Sequence, residues 1–320
     1  MSLLFDIPGF EVGKEGVLLS FSGGPDSVYL ALALKTALSS GQVTLVYFDH
    51  GLRSSEEIEA ERTFVADFAR AHSFSVVLEP LPVRAYAQSI GASLEEAGRT
   101  LRYRRLVELA RERGVGVVCT AHHLDDNVES VLMKILRGSL SGLTPMTPVR
   151  ELDGVLLVRP LLNTTKSHIL DVLREEKVTY CVDSSNTSDA FLRNRIRLEL
   201  VPVLERMNPQ YRRKVLGLAQ YHADLRRYVE DVLKTPLTKV KRTPSGWEIS
   251  RSAVMALEPF LQGELIRRLI ALAYGMDFRV SAIQIKSILA QLQKSGCRRV
   301  NLPRNHWVIL SQFNVTFIDH

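Results

Sequence analysis

Ser22-Gly23-Gly24-Pro25-Asp26-Ser27 is the densest run of chemically useful residues in the chain. It follows the apolar Val17 to Phe21 and precedes the amphipathic stretch Val28 to Leu38. A strand that stops at glycines and restarts as a helix leaves N–H groups free at the helix start. Those donors, with the positive end of the helix dipole, suit a phosphate or pyrophosphate. Gly23 and Gly24 let the backbone approach such an anion closely, and Ser22 and Ser27 add hydroxyl donors. Asp26 sets a carboxylate beside the anion, and a bridging Mg²⁺ gives it a reason. The plain alternative is a strand-to-helix turn with Ser27 or Asp26 as an N-cap. Two other nucleotide loops are excluded. Gly9 to Lys14 is one residue short between its glycines for a Walker loop and is followed by Glu15, and no G-x-G-x-x-G follows a strand.

The second cluster is Thr120-Ala121-His122-His123-Leu124-Asp125-Asp126-Asn127-Val128-Glu129. On a helix, His122 and Asp126 are four apart and Asp126 and Glu129 three apart, so one face carries all three. Imidazole with carboxylates ligates divalent metals. A paired acid face also holds a substrate ammonium and later takes its proton. The plain reading is a helix start whose acids are favoured by the dipole, but two histidines and three acids exceed capping needs.

Weaker signals surround these two. Asp49, in Phe48-Asp49-His50-Gly51-Leu52-Arg53, stands where α/β folds contact a ribose, or is simply a polar strand end. Glu96 to Tyr103 puts Arg99, Arg102 and Tyr103 on a helix. Arg137 to Gly142 is a Gly/Ser loop suited to close backbone approach or to a lid. Asp183-Ser184-Ser185-Asn186 leads toward Arg193-Asn194-Arg195-Ile196-Arg197, whose arginines suit phosphate geometry.

These residues need a scaffold, and the hydrophobic pattern supplies one. Strand character at Val17–Phe21, Val43–Phe48, Ser75–Leu78, Val115–Cys119 and Leu156–Arg159 alternates with helical pattern. The helices are expected at Val28–Leu38, Glu56–Ala71, Leu94–Arg113, Asp125–Leu136 and Ser167–Glu176. Buried strands separated by amphipathic helices predict an α/β fold with a doubly wound parallel sheet, whose ligands sit beyond the strands' carboxyl ends. A domain boundary is expected near residue 205. After it come helices at Tyr211–Leu233, Ala253–Tyr274 and Ser281–Gln293, a Pro-containing basic link at Thr235–Gly246, and short strands at Arg299–Leu302, Trp307–Leu310 and Asn314–Ile318. Residues 1–205 are thus read as the catalytic domain. Residues 206–320 are read as a smaller, mainly helical C-terminal domain ending in short strands.

Composition narrows the function. With 46% hydrophobic and 24% charged residues the chain reads as soluble and globular, with no apolar run of transmembrane length and no export signal at the N-terminus. Cys119, Cys181 and Cys297 are odd in number and widely spaced, which favours a reducing cytoplasm over a zinc ribbon or iron–sulfur site. Charge is uneven. Residues 191–320 hold 22 Lys and Arg against 10 Asp and Glu, whereas the preceding residues hold 19 against 25. An acidic front and a basic back suggest catalysis joined to polyanion binding, with basic clusters at Arg193–Arg197, Arg212–Lys214, Lys239–Arg242 and Arg298-Arg299.

Taken in order, Ser-Gly-Gly-Pro-Asp-Ser, Asp-His-Gly-Leu-Arg, Glu-Ala-Gly-Arg-x-x-Arg-Tyr, His-His-Leu-Asp-Asp-x-x-Glu, Arg-Pro-Leu-Leu from Arg159, Asp-Ser-Ser-Asn and Arg-Asn-x-Ile-Arg resemble the tRNA(Ile)-lysidine synthetases, which are N-type ATP pyrophosphatases. The resemblance is dense from Val17 to Leu204 and looser beyond. It implies a ligase that adenylates the wobble cytidine of a CAU-anticodon isoleucine tRNA with ATP and Mg²⁺, then couples L-lysine to it, releasing AMP and pyrophosphate. Under it, Ser22 to Ser27 form the ATP loop with Asp26 nearest Mg²⁺, and Asp49 joins the ATP site. Asp26, His122 and Asp126 are catalytic. Arg99, Asp126 and Glu129 bind lysine, and Arg193, Arg195 and Arg197 contact tRNA. Roles for His123 and Asp125 stay open. Two departures are Asn127-Val128-Glu129-Ser130, where a Gln-Ala-Glu-Thr-like ending is expected, and Gly98, where Ala is commoner. The chain is expected to be a short form of the family, with acceptor-stem recognition reduced or differently arranged. A cytoplasmic protein without membrane partners follows, and a homodimer is compatible. Rival readings are a base thiolase of the same fold, for which no cysteine pair is spaced; an amidating synthetase, which needs no basic C-terminal half; and an RNA-binding module with a relic nucleotide site.

Overall fold

The computed structural model describes residues 16–38, 40–138, 143–181, 192–275, 278 and 280–318. Asp183 to Asn186 and the Ser139–Gly142 part of the Gly/Ser loop lie outside the described residues. Two compact units divide the chain, one up to Gln220 and the other from Tyr221 onward.

In the first unit, β1 (Val17–Ser20), β2 (Val43–Asp49), β3 (Ser75–Pro80), β4 (Val117–Cys119), β5 (Val149–Leu152) and β6 (Val155–Val158) form a sheet in the order β3-β2-β1-β4-β6-β5. Pairing is parallel from β3 through β6, and β5 runs antiparallel at the edge. The hairpin joining β5 to β6 turns on Asp153 (φ 47°) and Gly154 (φ 83°), the left-handed pair that a two-residue hairpin needs. Helices cover both sheet faces. On one, Val17 and Leu19 pack with residues of α1 (Pro25–Ala37), α2 (Ser55–His72) and α6 (Lys166–Glu175). On the other, Leu18 and Val46 pack with α3 (Val83–Ile90) and α4 (Leu94–Glu112). This two-sided burial explains why β1 is continuously apolar, each buried Leu or Val contributing about 1.5–3 kcal/mol relative to exposure. Strand order reverses at β1, which has β2 on one side and β4 on the other, opening a crevice at their carboxyl ends.

A smaller core forms against α5 (Leu124–Leu136). Val128 and Leu132 meet Ile196 and Tyr211, so the segment after Leu192 is anchored to the acidic helix. That segment runs through α7 (Leu192–Arg195), a π-type turn (Ile196–Leu200) and α8 (Val201–Met207) into α9 (Tyr211–Thr238).

In the second unit, β7 (Lys241–Thr243), β8 (Gly246–Ser250), β9 (Arg298–Asn301), β10 (Trp307–Leu310) and β11 (Asn314–Ile318) make an antiparallel sheet in the order β7-β8-β11-β10-β9. The expected link at 235–246 is instead the end of α9 and the first of these strands. The single helix expected over 253–274 is α10 (Arg251–Met255) and α11 (Pro259–Tyr274), because Glu258 precedes a proline and takes extended backbone (ψ 149°). The last helix, α12 (Ala282–Leu292), starts with a capping box at Ser281 and Gln284.

Candidate active site

The loop after β1 is closed by its own serines. Ser22 N–H donates to Ser27 Oγ (3.2 Å), Gly24 N–H to Ser22 Oγ (3.3 Å), and Ser27 Oγ to the Gly24 carbonyl (2.9 Å). Gly23 has φ 76°, and a Cβ there would lie 3.2 Å from the Phe64 ring and 3.3 Å from Cys181 Sγ. Glycine is therefore needed for both conformation and space. Gly24 is the N-cap of α1 and Pro25 its first residue, with no side chain capping the helix. Neither Asp26 nor Ser27 serves as the cap, and the first-turn amides have no acceptor within the helix. The loop thus keeps its anion-binding geometry.

The acidic cluster follows β4. α5 begins at Leu124, so His122 lies before the helix and shares no helical face with Asp126 and Glu129. The N-cap is His123, a buried residue in a reciprocal capping box: its N–H donates to Asp126 Oδ2 (3.0 Å) and its Nδ1 accepts from the Asp126 N–H (3.4 Å). Its Nε2 lies 3.5 Å from Asp126 Oδ2 and 3.7 Å from Asp26 Oδ2, so His123 stands between the two carboxylates. His122 Nδ1 contacts Thr120 Oγ1 (3.0 Å). Burial first, and then the Arg159, Arg99 and Arg193 charges against the opposing Asp126, push its pKa down to about 3, so it is neutral. Burial resists ionisation of Asp126, but His123 and Arg193 outweigh it and hold the carboxyl below its ordinary range.

Glu129 is buried and fully engaged. Arg193 Nε donates to it (2.9 Å), and Arg197 grips it through Nε (2.7 Å) and Nη2 (2.9 Å). Arg193 Nη2 also donates to Asp126 Oδ1 (2.8 Å). Burial disfavours both guanidinium charges, yet the two carboxylates more than offset it and raise both pKa values. Arg195, between them in sequence, turns outward and pairs with Glu199 (3.0 Å) on an exposed surface. The arginine triplet is therefore split: two members fill the acidic site and one faces solvent.

A second chain of contacts was not legible in the sequence. Lys166 Nζ lies 2.6 Å from Asp26 Oδ1, and the Lys166 N–H donates to Asp125 Oδ2 (2.8 Å). Asp125 Oδ1 accepts from Arg212 Nε (2.6 Å), whose Nη1 reaches Glu205 (2.5 Å). Basic residues just beyond Arg-Pro-Leu-Leu and at the start of α9 were the available signal.

The remaining candidates are peripheral. At the end of β2, Asp49 accepts from the Gly51 N–H (2.8 Å) and from Arg62 Nη2 (2.9 Å). Arg102 contacts His50 Nε2 (3.3 Å), and burial together with that guanidinium pushes His50 down to about 4. Arg99 is exposed, with its guanidinium 5.0 Å above the Tyr103 ring. Arg159 is buried, donating from Nη1 to the Thr147 carbonyl (2.8 Å). Among the described residues no group of three or more His, Cys, Asp or Glu is arranged to hold a metal. A Mg²⁺ there would take Asp26 as one oxygen ligand and draw the rest from phosphates and water, which is ordinary for that ion.

The model of the PP-loop domain matches residues 5–204. The chain belongs to the PP-loop family. Among curated proteins it is 36% identical to a tRNA(Ile)-lysidine synthase of Geobacter sulfurreducens, over 95% of this chain and 65% of that one. It is 30% identical to the Bacillus subtilis protein of the same name, over 88% of this chain and 60% of that one. The chain thus spans about 60–65% of the length of the first of these relatives. The U34-tRNA thiolase NcsA of Methanococcus maripaludis, solved with its 4Fe–4S cluster, superposes with a TM-score of 0.52 at 16% identity, over 64% of this chain and 71% of that one. That likeness establishes a shared PP-loop fold. Among the described residues no helix is long and apolar enough to cross a membrane.

Proposed function

We propose that this PP-loop protein is a cytoplasmic tRNA(Ile)-lysidine synthetase. It would activate the wobble cytidine of a CAU-anticodon isoleucine tRNA with ATP and join L-lysine to it. The observation that carries the reading is the acidic pair Asp126 and Glu129, linked through His123 to Asp26 at the anion loop. A phosphate site and a cation site then share one crevice, as a reaction of ATP with an amine requires.

Ser22 to Ser27 hold the β- and γ-phosphates on first-turn amides and hydroxyls. Mg²⁺, when bound, would neutralise phosphate charge beside Asp26. The cytidine C2 oxygen attacks the α-phosphorus and pyrophosphate leaves. The lysine ε-amine then attacks C2, AMP departs, and the amine's proton passes to Asp126 or neutral His122. Asp126 and Glu129 hold the lysine ammonium, with Arg193 and Arg197 as their partners in the resting site. Asp49 borders the nucleotide and Arg99 the mouth of the lysine site. Outward-facing Arg195, with Arg193 and Arg197 behind it, offers charge to tRNA phosphates. The second unit carries basic clusters of its own at Lys239–Arg242 and Arg298-Arg299 that would also meet RNA, and a homodimer would add to the basic surface. Cys119 is buried at the end of β4 and Cys181 lies half-buried against Gly23, but the sequence spaces no cysteine pair of the kind a thiolase reading needs.

The test is incubation with ATP, Mg²⁺, labelled lysine and an isoleucine tRNA transcript bearing CAU. Lysine-dependent label in RNA, with AMP and pyrophosphate released, is the expected result. AMP without lysine incorporation would send the reading to another nucleophile, and no ATP cleavage would favour a binding module. Asp26→Ala should abolish ATP–pyrophosphate exchange while tRNA binding persists; full exchange would refute the role of Asp26.

A further inference from the structure

Lys166 has no part in the steps above, yet it is built into the anion loop. Asp26 is the second residue of α1, so the ammonium 2.6 Å from its carboxylate stands beside the first turn of that helix. The main chain of Lys166 is fixed. Its N–H donates to Asp125, and Thr165 caps α6 by accepting from the His168 N–H (3.2 Å). The side chain is about a third exposed and retains freedom to move (34%). Neighbouring cations are committed elsewhere: Arg193 and Arg197 to Glu129, Arg212 to Asp125 and Glu205, and Arg62 to Asp49.

We propose that Lys166 is the cation that receives the departing pyrophosphate, resting on Asp26 until phosphates arrive. The inference depends on reading Ser22 to Ser27 as an ATP loop. As a bond forms from the substrate oxygen to the α-phosphorus, the α–β bridging P–O bond breaks. Its electron pair goes to the pyrophosphate oxygen. Lys166 keeps its proton and meets that new charge, and Asp26 is released to its own role at the phosphates. A flexible ammonium suits this exchange better than a rigid guanidinium, because it acts as a movable point charge.

The experiment is isothermal titration of inorganic pyrophosphate into full-length protein in EDTA, comparing Asp26→Asn with the double variant Asp26→Asn/Lys166→Met. Asp26→Asn releases Lys166 and should bind pyrophosphate more tightly than wild type. Adding Lys166→Met should weaken it about tenfold, which corresponds to about 1.4 kcal/mol. Lys166→Arg in the same background should stay within about threefold, since the charge remains. Melting curves check folding, which should persist because the Asp125 contact uses the main-chain N–H of residue 166. Equal affinity of the single and double variants would overturn the proposal, since a lysine that merely neutralised Asp26 would be dispensable once Asp26 is gone. No pyrophosphate binding by any variant, either in EDTA or with Mg²⁺ supplied in its place, would overturn the ATP-loop reading itself, and this inference with it.

Discussion

Glu129→Ala is the most informative single substitution in the first unit. It removes three charge-assisted hydrogen bonds and leaves two guanidiniums to share Asp126. Breaking a buried ion pair costs about 3–5 kcal/mol. Here the cost is smaller. The Arg197 side chain is 38% exposed, so water recovers most of its loss and its share falls to about 1 kcal/mol or less. Arg193 keeps Asp126. A net loss of about 2–3 kcal/mol follows, a fall in melting temperature of about 4–12 °C for a unit of this size. Calorimetry or far-UV circular dichroism reads it. Both tryptophans, Trp247 and Trp307, lie in the second unit, so their fluorescence follows that unit while circular dichroism follows the whole chain. Arg197→Ala should cost about 1 kcal/mol or less, because Glu129 retains Arg193. A shift under 2 °C for Glu129→Ala, or equal losses for the two variants, would refute the view that this carboxylate organises the site.

Other outcomes follow from the same geometry. Gly23→Ala forces a side chain into left-handed backbone against Phe64 and Cys181, so it should cost about 1 kcal/mol or more and weaken ATP binding; an unchanged ATP Kd would count against the loop. Arg195→Ala should leave the melting temperature nearly unchanged, since the Glu199 it pairs with is exposed, yet lower the salt slope of tRNA binding by about one. An unchanged slope in filter binding would remove Arg195 from the RNA surface. His50 titrates near 4 when folded and near 6.5 when unfolded. Between those values the unfolded chain takes up a proton that the folded chain refuses, so stability falls as pH drops through that window. His50→Gln should flatten the dependence of melting temperature on pH there and not above pH 7; an undiminished slope would show that His50 is not its source.

The sequence made the loop readable because glycine is demanded locally: Gly23 is fixed by its own torsion and its near neighbours. The acidic helix was legible in composition but not in phase. The helix starts one residue after His123, so the cap geometry chose that histidine over His122. Lys166 and Arg212 could not be found this way, since their partners lie 140 and 87 residues off in sequence. Arg193, Arg195 and Arg197 read alike as a string, but on a helix residues four apart share a face and the one midway does not, which splits them. The β5–β6 hairpin was missed although Asp153-Gly154 announces it. β7 and β8 were hidden by a segment rich in Lys, Arg and Pro that resembles a linker.

The carboxylates of this site arrive with their cations already in place: Asp26 with Lys166, Asp125 with Arg212, Asp126 with Arg193, and Glu129 with both Arg193 and Arg197. Four bare acids in one crevice would repel a polyanion at the range of a Debye length, roughly 10 Å. Supplying its own counterions, the protein presents an almost neutral mouth to a polyanion. Small charged ligands entering the crevice then exchange with internal partners rather than with salt from solution, leaving their affinity far less sensitive to ionic strength than that of any polyanion meeting the exposed basic clusters.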